Sequence, residues 1–405
     1  MQTNRGALWF ILATLLLDAI GIGLIFPIMP DLMERVGAGD TATGAFWGGV
    51  LMAAYAGAQF LCGPAIGGIS DALGRKPVLL VTLAALAVDY LIMALATGFW
   101  VLLVGRVLAG VAGATYITAT AYLADISKPE DRAANFGLIG AAFGVGFVIG
   151  PALGGLLAGI HVTAPFWAAG ALAAANFIFG LFVLPESLAP EKRRRFERRD
   201  LNPFGSILAA ARLPGLGLPL AGLFVFEFSN MVYPVLWAFW LREAFGWSSV
   251  LIGGSLACYG IGVALTQGAL MRLLIPRIGT WHTLMLAVVA GIVASLAYGV
   301  ASAAWVVWVF LPFACLSDMA PPNATGIATN LVGDDRLGLL QGVIGSLGAV
   351  AAITAPLIVT PLFRFFAAPD APLYLPGAPF LMTAALLVIS GAIFWPMRRQ
   401  ATATA

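Results

Sequence analysis

Charge is what this sequence has least of. Only 10% of its 405 residues are Asp, Glu, Lys or Arg, against about 25% in soluble globular chains. That deficit excludes a domain built to face water on all sides. Histidine and cysteine are scarcer still. His161 and His282 stand far apart, and Cys62, Cys258 and Cys315 sit in apolar stretches at unrelated spacings. This pattern points to neither a disulfide framework nor a metal centre. No glycine-rich loop ending in lysine precedes a hydroxyl residue, so an ATP-driven pump is not expected. No nucleophile–base grouping stands out either, so an enzyme is not expected. A net charge of +2 gives no reason to expect a nucleic-acid partner.

Hydrophobic residues make up 61% of the chain and mean hydropathy is +0.96. Apolar runs recur at lengths near 20 residues, enough to cross roughly 30 Å of hydrocarbon. Twelve spans are expected: 7–29, 44–66, 78–97, 99–121, 134–158, 164–184, 216–240, 248–272, 282–301, 303–327, 338–362 and 378–396. The first span reads as retained, with no cleavage pattern before it. With the N-terminus inside, the outer segments hold only Arg35, Arg242 and Arg364, and Arg106 lies within the membrane. The remaining Lys and Arg fall inside, so both termini and the middle loop are expected in the cytoplasm.

That loop, "PESLAPEKRRRFERRDLNPFGS", separates the two halves. The expected organisation is a six-helix bundle over 1–185, a cytoplasmic linker over 186–214 and a second bundle over 215–405. The linker arginines are read either as a solvated, orienting run or as a contact for anionic headgroups. The halves echo one another at an offset of about 205 residues: Tyr55 and Tyr259, Trp100 and Trp305, Gly137 and Gly342, Pro151 and Pro356. The fold class is therefore an all-α integral membrane protein of two six-helix, pseudo-symmetric bundles. Such repeats suit a transporter that rocks about a midplane site.

The loop after the second span, "GGISDALGRKP", resembles the signature of the major facilitator superfamily through Gly67, Asp71, Gly74, Arg75 and Lys76, with Ala72 in place of a basic residue. The resemblance implies a cytoplasmic gate, to which Asp125 and Arg132 in "LADISKPEDRAANFG" also belong. "GVGFVIGPALGG" resembles the antiporter motif of that superfamily at Gly146, Gly150, Pro151, Gly154 and Gly155. Residues 146, 150 and 154 repeat every four positions and form a stripe for close helix approach, while Pro151 favours a bend. "LLDAIGIGLIFPIMP", "YAGAQFLCGP" and "GRVLAGVAGAT" narrow the likeness to twelve-span drug–proton antiporters of the tetracycline-efflux class.

An acid in hydrocarbon costs roughly 2.5–3.5 kcal/mol even on lenient insertion scales, so Asp18 needs an explanation. The resemblance makes it a proton-coupling residue; a hydrogen-bonded structural acid is the other reading. Arg106 needs an anionic partner, and Asp18 on a neighbouring helix is the first choice. Gly110 and Gly113 share its face and permit close packing. Asp89, toward the outer end of its span where water reaches it, matches another acid of the class. Gln59 matches a family position as well, as a substrate contact or a polar packing contact.

The second half departs from the resemblance. The span-9 aspartate of tetracycline exporters is replaced at Gly291, and the span-8 histidine near Val263. Instead Glu227 and Asp318 are embedded, and both are expected to take part in proton coupling with Asp18, Asp89 and Arg106. Glu227 lies among Phe224, Phe226, Phe228 and Tyr233, with Trp237 further along, a setting for an amphipathic cation unless the rings face lipid. Asp318 lines a cavity or caps the helix break before Pro321–Pro322.

The function expected is proton-coupled efflux of an amphipathic, drug-like molecule such as a tetracycline, by alternating access. It needs no cofactor beyond the proton gradient, and its setting is a bacterial-type inner (plasma) membrane. Its partners are protons, the small-molecule substrate and membrane lipids, and the chain acts as a monomer. Proton-coupled uptake of a metabolite is the alternative. A non-transporting receptor or scaffold would need neither embedded acids nor the repeat.

Overall fold

The computed structural model describes residues 5–113, 115–128, 131–205, 215–332, 336–368 and 370–398. Side-chain descriptions further omit 5, 132, 133, 199 and 200. Arg132, expected at the gate, opens a helix, but its side chain lies outside the described residues.

Among the described residues the chain is helical and contains no strand. Backbone groups in hydrocarbon must bond within their own segment, and helices meet that demand. Among the described residues, eleven helical stretches are long and apolar enough to cross a membrane. One of them, Ser249–Gly299, has 51 residues and would reach about 77 Å as one helix, far beyond one crossing. Gly279, with φ 81°, breaks it into two. Counted so, the spans are twelve, as the hydropathy predicts.

The first half comprises α1 (Arg5–Ile25), the short α2 (Met29–Arg35), α3 (Thr41–Leu73), α4 (Arg75–Leu95), α5 (Phe99–Ala112), α6 (Thr115–Ile126), α7 (Arg132–Ala158) and α8 (Ala164–Val183). The second half comprises α9 (Gly217–Asn230), α10 (Val232–Phe245), α11 (Ser249–Leu265), α12 (Met271–Gly299), α13 (Trp305–Ser317), α14 (Ala320–Thr329), α15 (Leu337–Thr354), α16 (Pro356–Ala367) and α17 (Ala378–Phe394). A π-helical turn, Thr266–Leu270, joins α11 to α12.

Two compact units result. Unit 1 contains Met1–Ala38, Ala54–Pro203 and Ser249–Ala257; unit 2 contains Gly39–Ala53, Phe204–Ser248 and Cys258–Ala405. Lipid tails are as apolar as leucine, so helices in a bilayer associate through close van der Waals contact. In unit 1 that contact comes from missing side chains. A methyl at Gly146, Gly150 or Gly154 would overlap α1 at Leu16, Ala19, Ile20, Gly23 or Leu24. Gly155 meets Ser249 and Val250 in the same way. The helix continues through Pro151.

In unit 2 it comes from large rings. Tyr233, Trp237, Trp240, Tyr298 and Phe380 interlock, with Trp240 and Phe380 centroids 4.8 Å apart and Trp237 and Tyr298 5.2 Å apart. Such pairs are worth about 0.5–1.5 kcal/mol each beyond burial. Tyr233 and Trp237, expected to line a substrate cavity, are thus buried in this aromatic core.

Candidate functional site

Unit 1 holds an embedded ion pair. Arg106 Nη2 donates to Asp89 Oδ2, and its guanidinium lies 5.8 Å from the centre of the Tyr55 ring. Asp89 is 0% exposed and Arg106 7%. Two expectations are corrected here. The partner of Arg106 is Asp89 rather than Asp18, and Asp89 is fully buried rather than within reach of water. The reason is hairpin geometry. Asp89 lies eight residues before Thr97 and Arg106 eight after Gly98, so the short connection between α4 and α5 brings both to one depth. Eight residues of helix are about 12 Å, well inside the hydrocarbon. Gly105 leaves room for the carboxylate, since a methyl there would touch Asp89 Oδ1.

The face around Arg106 is cleared as the sequence predicts. A methyl on Gly110 would overlap the Tyr55 carbonyl and Ala58, and one on Gly113 would meet Gln59 and the Tyr55 hydroxyl. Gln59 Nε2 donates to the Gly113 carbonyl at 3.1 Å, a polar packing contact at the end of α5. Asp18 stands apart. It is 6% exposed, and its carboxylate makes no hydrogen bond or ion pair among the described residues.

Unit 2 gathers its irregular backbone at one carboxylate. The span made of α9 and α10 breaks at Met231, just after Asn230. The span made of α13 and α14 breaks at Asp318–Met319, and Pro321 and Pro322 open α14, where a missing N–H costs nothing. Asn230 Nδ2 donates to Asp318 Oδ1 at 3.1 Å, and the Tyr259 hydroxyl donates to Asp318 Oδ2. Gln267, in the π-helical turn, donates to the Asp318 carbonyl at 2.9 Å. Asp318 therefore uses its side chain to bind two other spans and does not cap α14. Glu227, one turn before Asn230, is half-buried and interacts electrostatically with Asp318. Its carboxylate has no hydrogen bond or ion pair among the described residues. Phe224 and Phe228 flank it, with ring centroids 6.2 Å apart.

The loop between α3 and α4 is tied by charge. Arg75 Nη1 lies 2.5 Å from Asp71 Oδ1 and donates to Ser70 Oγ at 3.1 Å; its Nε lies 3.2 Å from Asp125 Oδ2. Gly74 takes φ 110°, a conformation that favours glycine. The Lys76 ammonium bonds the Leu181 carbonyl at 3.2 Å. A methyl on Gly67 would make ordinary contact with Ile117.

Two linker residues missed by the sequence reading complete this set. Glu186 accepts the amides of Arg75 at 2.8 Å and Lys76 at 3.2 Å, capping the exposed donors at the start of α4. Arg194 Nε lies 2.8 Å from Asp71 Oδ2, so this arginine is bound to the loop and is not merely part of a solvated run. Neither has a sequence signal beyond "PES" following the last apolar residue of its span.

Residues 11–356 match the family model of the Major Facilitator Superfamily. The chain belongs to this superfamily. Tetracycline resistance protein, class C, of Escherichia coli is 38% identical over 363 residues, spanning 90% of this chain and 91% of that protein. Tetracycline resistance protein, class H, of Pasteurella multocida is 33% identical over 392 residues, spanning 95% of each. The crystal structure of the human organic anion transporter MFSD10 (TETRAN) matches with a TM-score of 0.70 at 24% identity, covering 97% of this chain and 100% of that one. That last likeness concerns the fold alone.

A major facilitator is a multi-pass membrane transporter and not an enzyme, in line with the sequence expectation. Gly291 is bare for a packing reason: a methyl there would overlap Ser317 Oγ on the next span.

Proposed function

We propose that this protein exports an amphipathic molecule bearing a positive or zwitterionic amine in exchange for protons, by alternating access. One observation carries this reading. Asp18 and Glu227 are embedded carboxylates without an ion-pair partner among the described residues, whereas Asp89 is neutralised by Arg106. Embedded charges ordinarily pair, and a low-dielectric setting favours the neutral form of a carboxyl. Such groups are suited to take up a proton or a cationic ligand. Asp318, held by two neutral donors, stands beside Glu227 as a second acid for proton coupling, and Phe224 and Phe228 supply ring faces for a cation. Asp89 and Arg106 serve as the switched pair of unit 1, whose contact alters as protons and substrate come and go.

The loop set of Asp71, Arg75 and Asp125, with Gly67, Gly74 and Lys76, acts as the cytoplasmic gate. The basic asymmetry of the loops supports cytoplasmic termini in a bacterial-type plasma membrane, with headgroups meeting the linker. The proton gradient suffices as driving force, since one charge crossing 100 mV releases about 2.3 kcal/mol. No cofactor is required, and a monomer suffices. Two curated relatives are named for tetracycline resistance, so tetracyclines are the first compounds to try.

Purified protein in liposomes with an imposed pH gradient tests the reading. Addition of a transported compound is expected to release protons from the lumen. Movement of both species in one direction would make the protein a symporter, and unchanged coupled flux in Asp18→Asn would remove that residue.

A further inference from the structure

Thr14, Asp18 and Gly21 lie on one face of α1, at spacings of four and three residues. Facing them are Tyr90 on α4 and Asn176 on α8, and together they border a cavity of about 10 Å³. That is room for about one water molecule. The walls are otherwise apolar, from Leu83, Leu86 and Ala173 among others. Gly21 is bare because the Tyr90 hydroxyl occupies the place of its side chain, which sets this hydroxyl one turn from Asp18. Tyr90 is 3% exposed, and its hydroxyl makes no hydrogen bond among the described residues.

The hydrogen-bond inventory of this cavity is specific. Thr14 spends its proton on the Phe10 carbonyl at 2.9 Å and accepts from Asn176 Nδ2 at 3.0 Å. The Tyr90 hydroxyl and the second N–H of Asn176 are left as donors, and the Asp18 carboxylate and Asn176 Oδ1 as acceptors. A water molecule donates two hydrogen bonds and accepts up to two, and buried waters make about three.

We infer that this cavity is a proton-loading site, in which one water held by Tyr90 and Asn176 hands a proton to Asp18. The inference rests on the reading of Asp18 as a proton carrier. In the step, a hydronium in the cavity loses one O–H bond, the carboxylate gains one, and neutral water stays behind. Tyr90 and Asn176 are positioning residues: they aim the water and exchange no proton themselves. The titratable groups that interact electrostatically with Asp18 are Tyr55 on α3 and Tyr90 on α4, and Asp89 and Arg106 act on the same two tyrosines. The apolar stretches of α7 and α8 carry none.

Infrared spectroscopy of the full chain in detergent tests this. The protonated-carboxyl band of Asp18 is identified by its loss in Asp18→Asn. In Tyr90→Phe and Asn176→Leu, its exchange into heavy water is expected to slow roughly tenfold, the scale of one hydrogen bond to a charged group. The band position should shift as well, with thermal stability retained. Ala173→Leu, which fills the cavity without removing a polar atom, is expected to do the same. Wild-type exchange and band position in Tyr90→Phe and Asn176→Leu would overturn the site. If Asp18→Asn leaves every band in place, the reading of Asp18 itself fails instead.

Discussion

Tyr55 and Tyr259 hold matching places in the two halves of the chain, yet they serve charges of opposite sign. The Tyr55 ring lies beneath the Arg106 guanidinium, which is itself bonded to Asp89. The Tyr259 hydroxyl donates to Asp318, whose other oxygen takes only the amide of Asn230. Unit 1 thus carries its cation within the fold. In unit 2, no ion pair to Glu227 or Asp318 occurs among the described residues. The difference teaches where an outside positive charge is in demand: at the half whose embedded acids have no cation beside them among the described residues.

The severest test of this contrast is Arg106→Gln. Leaving Asp89 buried and unpaired is expected to cost about 3–5 kcal/mol, read as a large drop in the detergent unfolding temperature. The double variant Asp89→Asn/Arg106→Gln should recover most of the loss. A single variant as stable as the wild type would dissolve the contrast.

Tyr259→Phe comes next. Removing one hydrogen bond to a charged group costs about 1.5–3 kcal/mol, so substrate affinity measured by equilibrium binding should fall roughly tenfold or more. Unchanged affinity would detach Asp318 from ligand binding. Packing offers a smaller effect within α7. Gly150→Val overlaps α1 and should destabilise by about 1–3 kcal/mol. Gly137→Val meets open space and should be near neutral, and equal effects would refute the helix contact.

The smallest effect falls at Asp40, which begins α3 outside the membrane. Asp40 Oδ1 accepts the Thr43 amide at 2.8 Å, and Oδ2 meets the Thr43 hydroxyl at 3.1 Å. Partial burial pulls this carboxyl up, but the Thr43 bonds outweigh it and hold it below the usual carboxylate range. A lowered folded-state value means stability present above the unfolded value, near 3.9, and lost as pH falls through the folded one. Asp40→Ala should therefore cost about 0.5–2 kcal/mol at neutral pH and progressively less in acid. A cost that stays constant down to pH 2 would exclude the cap.

The spans were readable because length and hydropathy act locally, and the glycine stripe because a four-residue repeat fixes one helix face. Depth was readable too, for a reason first overlooked: Asp89 and Arg106 are equidistant from their turn. What the chain alone did not disclose was azimuth. Asp18 and Asp89 are both embedded acids, and only the rotation of α1 and α4 decides which one meets Arg106. Neutral partners such as Asn230, Gln267 and Asn176 carry no compositional flag, because an amide earns notice only from the groups across from it. Glu186 was hidden by its place in a loop whose charge seemed fully explained by topology.

The bare surface of Gly291 against Ser317 has a consequence for comparing such proteins. A column-by-column alignment records the residue at this position but not the hydroxyl that fills its place from the next span. Setting aspartate at Gly291 would drive it into Ser317, so a substitution learned in one lineage is not portable to another without first relocating the neighbour.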